Sequence, residues 1–576
     1  MLRPISERLT GVGMGTIRRG MSVSSASAID HRSVESLNAP RRGRRYFGPA
    51  LLVASMVLVA ASILTPIWAV TLAPESNQGD SQHSLSLIPH NPIAIKGDAS
   101  FAANASLEGW PGNGTEMNPY VISGFAIDGG NTEDCISISA TSVHFVIEGC
   151  VLTAGLESGV YMIQTSNATI VNNTLANGSF YAVYLDRCRN IVVENNSVTG
   201  GTHGIGVGNG SREILLSGNE VTNSSWWSTI LFDSSEVTLR DNHFNGTGIQ
   251  IEGGLLRHWN TLDIDSSNTV DGAPICFVKD TENGTVPLGA GQVILANCTN
   301  MTVQGQGNGD ICRGIALGFC SNCTVSENNV TGSYSGIYLL FCPSCRVDNN
   351  TVTGAHHGIR MEVSSYCRIE NNSLSSCLSN GILVQTSDWL DIVDNWCHAC
   401  SLGVQLNGVS YSEMWGNLIE NSTNHGFALV SSNFDIIRLN SFVDNVGYGI
   451  YSLDTDDPNT ILNNSFIRNH GSGEVYSPGH SQAYDDSGNN WSTGPYGNYW
   501  RDWQGPDVNG DGIVDLPYNI SGAAAAQDDS PLVRSVVAIP EFGGVLFVTV
   551  CSAVMVVLVI STSNRKRVIR DCVRKP

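Results

Sequence analysis

Between Gly314 and Asn464 one template returns every 22 to 24 residues, and no other feature of the chain limits its fold as tightly. It reads Gly314-Ile-Ala-Leu, then Cys323-Thr-Val, then Asn328 two residues before Val330. It comes back as Gly336-Ile-Tyr-Leu, Cys345-Arg-Val and Asn350, and again as Gly358-Ile-Arg-Met, Cys367-Arg-Ile and Asn372. Gly381, Gly403, Gly426 and Gly449 open further units, and the asparagine column continues through Asn395, Asn417, Asn440 and Asn464. Self-similarity at such a period means a solenoid.

Apolar and polar residues alternate within each unit over three or four positions, with Gly, Asn and Ser between, so the elements are short strands rather than helices. The expected fold is all-β: a right-handed single-stranded parallel β-helix with coils of about 22–23 residues. Stacked coils lie about 4.8 Å apart, so an asparagine at one place in every coil can hydrogen-bond to those above and below. Asparagine also tolerates the left-handed backbone of a tight corner. An earlier column, Asn173, Asn196, Asn219 and Asn242, runs at steps of 23 with Cys150 at its head. The register then breaks. Some 18 residues beyond two whole coils separate Asn242 from Gln306, which takes the place before Asn328, and a protruding loop near Asn268–Lys279 and Glu282–Pro287 is expected to absorb them.

Outside the coils the composition changes. Residues 1–46 form a basic leader, 47–70 an uncharged apolar stretch long enough to cross a bilayer, and 71–88 a polar linker. The expected order continues with an N-terminal cap and first coil (89–134), coils (135–250), coils with the loop (251–312), coils (313–470), an aromatic and Asp-rich cap (471–538) and a C-terminal anchor with a basic tail (539–576). Two helices of transmembrane length would thus flank the solenoid, unless the first is a cleaved signal peptide. Half of the 30 basic residues lie in the first 46 and last 16 positions, against four of the 52 acidic ones. By the positive-inside rule both basic flanks face the cytoplasm, and residues of about 71–538 are extracellular. The strongly acidic middle excludes nucleic acid as a partner. Sequons such as Asn104, Asn113 and Asn519 suit a glycoprotein.

Few residues suggest chemistry. Asp507, Asn509, Asp511 and Asp515 put oxygen ligands at positions 1, 3, 5 and 9 of a loop whose sixth residue is Gly512, with the Ile513 carbonyl as a further ligand. This is a calcium-loop spacing, although Tyr518 stands where an EF-hand has Glu. Calcium is the one cofactor expected, and no organic cofactor is. Cys320 and Cys323 with Cys342 and Cys345 mimic a four-cysteine zinc site, yet the spacing is that of the coil. Cys298, Cys320 and Cys342 form one column, and Cys323, Cys345 and Cys367 another. Stacked buried thiols are the expected state, with disulfides or a metal as alternatives. His203, His357 and His425 each precede a glycine at one corner of the coil, the mark of a turn residue. Asp454, Asp456 and Asp457 form a solvated acidic turn. Arg360 and Arg438 are available to a sugar-cleaving site, but nothing in the sequence places acids beside them.

The coils, the stretches Asn268-Thr-Val-Asp-Gly and Gly291-Gln-Val-Ile-Leu-Ala-Asn297, and Gly497-Asn-Tyr-Trp-Arg-Asp-Trp503 followed by the Asp507 loop together resemble archaeal cell-surface proteins with NosD-like parallel β-helix repeats. The resemblance covers roughly residues 88–535. It implies the β-helix fold, and its wider group includes carbohydrate-binding proteins and sugar hydrolases; the NosD name itself implies a periplasmic role in copper-site maturation. The expected function is noncatalytic binding of polysaccharide or surface-layer components by a membrane-anchored protein. The alternatives are a polysaccharide lyase or glycoside hydrolase on the coil face, and a NosD-like copper accessory protein.

Overall fold

A computed structural model describes residues 87–307 and 314–535. The expected leader and membrane segments at 1–46, 47–70 and 539–576 lie outside the described residues, among which no helix is long and apolar enough to cross a membrane. What is described is a parallel β-solenoid of about 15 turns with coils near 23 residues.

One coil shows why the template folds this way. Its three strands are Tyr181–Asp186, Arg189–Glu194 and Ser197–Thr199, each paired in parallel with strands one coil before and after. Alternation sends Val183, Leu185, Ile191, Val193 and Val198 inward, where each is buried. The corners fall at Arg187, Asn190 and Asn195, all at φ near +50°. Asparagine accepts that backbone readily, which is why the template carries it there.

The asparagine columns are continuous ladders. Asn350 Nδ2 donates to Asn372 Oδ1 at 2.9 Å, Asn372 to Asn395 at 2.9 Å, and Asn395 to Asn417 at 3.0 Å. The same bond joins Asn328 to Asn350, Asn417 to Asn440 and Asn440 to Asn464. In the earlier column it links Asn173, Asn196, Asn219 and Asn242. Both columns reach one member further than the spacing suggests, to Asn268 and to Asn498.

The segment expected to protrude is instead built into strands, and it reverses the chain. Thr269–Val270 pairs antiparallel with Ala273–Lys279. Between them Asp271 and Gly272 have φ of 49° and 83°, the positive pair that a two-residue type I′ hairpin requires and that Asp-Gly supplies. Ala273–Lys279 then starts a second stack, whose strands pair in parallel with one another. The coil from Asn242 to Asn268 is 26 residues long and takes about three of the surplus, with a short helix, Arg257–Asn260, whose Trp259 is fully buried. A Cβ on Gly318 would lie 2.2 Å from that indole, so only glycine fits opposite it.

Because of the reversal, an outer face of each stack meets the other. Ile294, Ala296, Tyr338 and Leu340 point out of the second stack yet belong to the apolar core of the first. Gln292 fastens the start of this contact, donating to the Ile249 carbonyl at 2.7 Å and accepting the Ile249 N–H at 2.9 Å. The ends are closed by aromatics. Helix Asp98–Glu108 lays Phe101 over the first coil, and Tyr518 stacks on Trp500, which stacks on Phe466 of the last coils.

Candidate ligand-binding cleft

Where the two stacks face each other, turn residues from both sides converge. Phe180 and Trp226 precede strands Tyr181–Asp186 and Trp227–Phe232 of the first stack, while Tyr334 and His356 precede Ser335–Leu340 and His357–Glu362 of the second. Trp227 stacks on His203 at 4.6 Å and meets Tyr334 edge-on at 5.0 Å, and Tyr334 stacks on His356 at 4.9 Å. Trp226 is 45% exposed, and its ring neighbours in the cleft, His203, Trp227, Tyr334 and His356, are all edge-on or tilted. Phe180, 50% exposed, likewise has only tilted or edge-on neighbours. Both rings therefore offer a face.

Below the rim lies a crevice of about 20 Å³ lined by Trp226, Trp227, Gln250, Gln292, Ser333 and Tyr334, room for about one water. Trp227 Nε1, Ser333 Oγ and Ser335 Oγ around it have no protein hydrogen-bond partner, nor do Nδ1 of His203, His356 and His357. Buried polar atoms are rarely left so, and a group of them beside exposed rings is suited to a hydroxyl-rich ligand. Burial pushes His203 and His357 down to about 4.

Further along the contact Arg360 reaches from the second stack to the first. Its Nε lies 2.5 Å from Glu362 and its Nη1 3.4 Å from Glu252, and its guanidinium carbon sits 4.8 Å over the Tyr338 ring. Burial pulls Arg360 down, but Tyr338, Glu362 and Glu252 outweigh it, so its proton is held more tightly than usual. Burial raises Glu252, against the pull of Arg360. Acids and a base thus do converge on one coil face, although 108 residues separate Glu252 from Arg360 and no repeat spacing relates them. Arg438 pairs instead with Glu413 at 3.3 Å on another face and packs over Trp415.

A second aromatic surface is differently built. Tyr366, Trp389, Tyr411 and Phe434 occupy one corner of four successive coils at φ near +60°, where Asn300 and Asn322 stand in earlier coils. All four are exposed, but they stack on one another nearly parallel, so the faces they turn to each other are covered. The cleft is the better candidate.

The remaining sequence-derived residues lie elsewhere. Cys298, Cys320, Cys342, Cys323, Cys345 and Cys367 are buried free thiols. Within each column a backbone N–H points at the next sulfur, as from Cys320 to Cys342 at 3.4 Å and from Cys345 to Cys367 at 3.3 Å. In the cap, Asp507 accepts the N–H groups of Gly510, Asp511 and Gly512, Asn509 accepts that of Asp511, Asp511 that of Ile513, and Asp515 that of Val508. His203, His357 and His425 do share a corner; burial holds His425 near 4 as well, and it stacks on Tyr451 at 4.3 Å.

Residues 298–505 match a family model described as periplasmic copper-binding protein (NosD), and residues 134–341 match one described as right handed beta helix region. Neither match spans half of the chain. The probable ABC transporter binding protein NosD of Pseudomonas aeruginosa is 30% identical over 129 residues, which are 20% of this chain and 28% of that protein. The chain thus spans under a third of that curated relative. Among solved structures it is similar to the periplasmic alginate epimerase AlgG, at 10% identity over 61% of this chain and 84% of that one, with a TM-score of 0.25. It is similar also to a PL6 alginate lyase in complex with a trisaccharide, at 10% identity over 79% and 94%, with a TM-score of 0.26. The chain is a parallel β-helix protein similar to NosD. As for copper, no group of three or more His, Cys, Asp or Glu among the described residues is disposed to hold a metal ion. The stacked sulfurs meet one another, as Cys320 meets Cys298, Cys323 and Cys342, and they meet backbone groups as well, such as the Leu317 carbonyl 3.3 Å from Cys342 Sγ.

Proposed function

We propose that this protein is exported, held at the membrane by residues 47–70 and 539–576, and binds polysaccharide without cleaving it in the cleft between its two stacks. The carrying observation is the pairing of half-exposed Phe180 and Trp226 with buried polar atoms that have no protein partner. Flat apolar rings receive the C–H faces of sugars, and the buried unpartnered hydroxyl and indole groups of the crevice can meet sugar hydroxyls through a water held there.

A polysaccharide lyase or hydrolase is the second reading, favoured by the meeting of Glu252, Glu362 and Arg360. Against it, Arg360 ties up both carboxylates, so neither is free as a base. A glycan array probed with the full chain in mild detergent, read for both binding and new chain ends, separates the two. Binding without cleavage is expected, and Trp226→Ala should weaken it about tenfold or more. Cleavage that Glu252→Gln abolishes would establish the enzyme instead.

A further inference from the structure

The charged groups around the cleft are already satisfied among themselves, and this limits the kind of sugar it admits. Arg360 comes up to its edge, with its guanidinium carbon 6.0 Å from the Tyr334 ring. Glu362 lies on one side of the guanidinium at 2.5 Å, Glu252 on the other at 3.4 Å, and the Tyr338 ring at 4.8 Å. A guanidinium grips an incoming carboxylate or sulfate through two parallel N–H donors on one edge. Here Nε donates to Glu362 and Nη1 to Glu252, so each edge already gives one of its two donors to the protein's own carboxylates, and the side chain is only 15% exposed.

The histidines supply no substitute cation. His203 and His357 are 2% and 7% exposed, and His356 beside them is also lowered, by burial first and then by Arg360. They act as neutral hydrogen-bonding groups near pH 7. Two carboxylates against one guanidinium leave the surroundings negative, as is the chain at −22 overall. An acidic sugar chain would therefore meet carboxylates with no free partner for its own charge, an arrangement that rejects a ligand more effectively than poor fit does. An uncharged pyranose chain meets no such obstacle. Its ring can stack on Trp226, while a water in the crevice bridges its hydroxyls to the buried polar atoms of Trp227, Ser333 and Ser335.

We propose that the cleft selects an uncharged glycan and rejects uronate- or sulfate-bearing chains, because Glu252 and Glu362 close off Arg360 while the exposed rings and unpartnered polar atoms match hydroxyl groups. This selectivity rests on the glycan-binding reading given above. Calorimetric titration of the full chain at pH 7 in about 0.1 M salt, where screening is moderate, tests it. Cellohexaose and mannohexaose serve as uncharged probes, and hexamers of mannuronate and galacturonate as anionic ones. At least one uncharged hexamer should bind, and both anionic hexamers should bind at least about tenfold more weakly. Glu362→Gln, which frees one edge of Arg360 at nearly constant shape, should narrow that gap by raising affinity for the anionic hexamers. An anionic hexamer that binds the unaltered protein as tightly as the best uncharged one overturns the selectivity. If that binding is lost in Trp226→Ala, the glycan-binding reading survives; if no hexamer of either class binds, that reading fails and the selectivity falls with it.

Discussion

Asp435 stands where a ladder wants an amide. Its column runs Ser412, Asp435, Asn459 and Asn489: the Ser412 N–H donates to Asp435 Oδ1 at 2.8 Å, and the Asp435 N–H donates to Asn459 Oδ1 at 2.8 Å. Asn459 also uses its Nδ2, on the Ser432 carbonyl and on Asn489. Asp435 can match that donor only by keeping its proton, and Oδ2 has no partner. Burial raises its carboxyl from 3.8 to about 8. A carboxyl raised on folding stabilises fully below its unfolded value, and the contribution is lost as pH rises towards the folded value. The melting temperature of the unaltered protein should therefore fall between pH 4 and 8, measured by circular dichroism, and Asp435→Asn should flatten that fall and raise Tm near pH 8. Equal pH profiles for the two proteins would refute the assignment. Residues of this kind mark how far the sequence is legible. Asn350 and Asn372 reveal themselves by recurring at one spacing, whereas Asn268, Asn489 and Asn498 follow inserted segments and lose the period. The cleft is less legible still, because Trp226, Tyr334 and Arg360 carry no motif and meet only through the reversal.

At the scale of elements, the same Asp271-Gly272 that builds the reversal was open to view. What the sequence does not carry is the partner strand: a hairpin signal says that two strands pair antiparallel, not that the second founds a new stack. The Asp507 loop presents the opposite case, a clear spacing without a clear occupant. Its side chains already hold the turn by accepting backbone N–H groups at 2.7 to 3.2 Å. A carboxylate has about four lone-pair sites, so these bonds leave capacity for a cation, around which the three carboxylates would have to draw closer than they stand here. The proposal from sequence is that Asp507, Asn509, Asp511, Asp515 and the Ile513 carbonyl take calcium and stiffen the cap. Millimolar calcium should then add RT ln(1 + [L]/Kd) to the stability, roughly 1–4 kcal/mol for a Kd between about 0.1 mM and micromolar, and raise Tm accordingly. Asp507→Ala should abolish the calcium response. Magnesium is the control, since an all-protein loop of this kind should not serve it. A Tm indifferent to calcium would leave the loop as a plain Asp/Gly turn.

The whole molecule poses a question that neither ladder answers. In a solenoid each coil touches only its neighbours, so stability is close to a sum of coil and interface terms, and two stacks joined by one hairpin would be free to melt apart. Here the stacks also touch sideways, through Gln292 on Ile249, Trp259 beneath Gly318, and Arg360 between Glu252 and Glu362. Of these the ion cluster is the most exposed to a single change. Arg360→Met keeps apolar volume beside Tyr338 but leaves two carboxylates unpaired at the contact, a loss of about 2–4 kcal/mol that falls on the coupling between stacks rather than on either core. The unaltered protein should melt in one calorimetric transition. Arg360→Met should split it in two, while the triple variant that also carries Glu252→Gln and Glu362→Gln, with no charge left to strand, should regain much of the coupling. A single transition merely shifted downward in Arg360→Met would mean that the hairpin and the Trp259 contact bind the stacks without the ion cluster. The cleft would then owe its shape to packing rather than to the ion cluster.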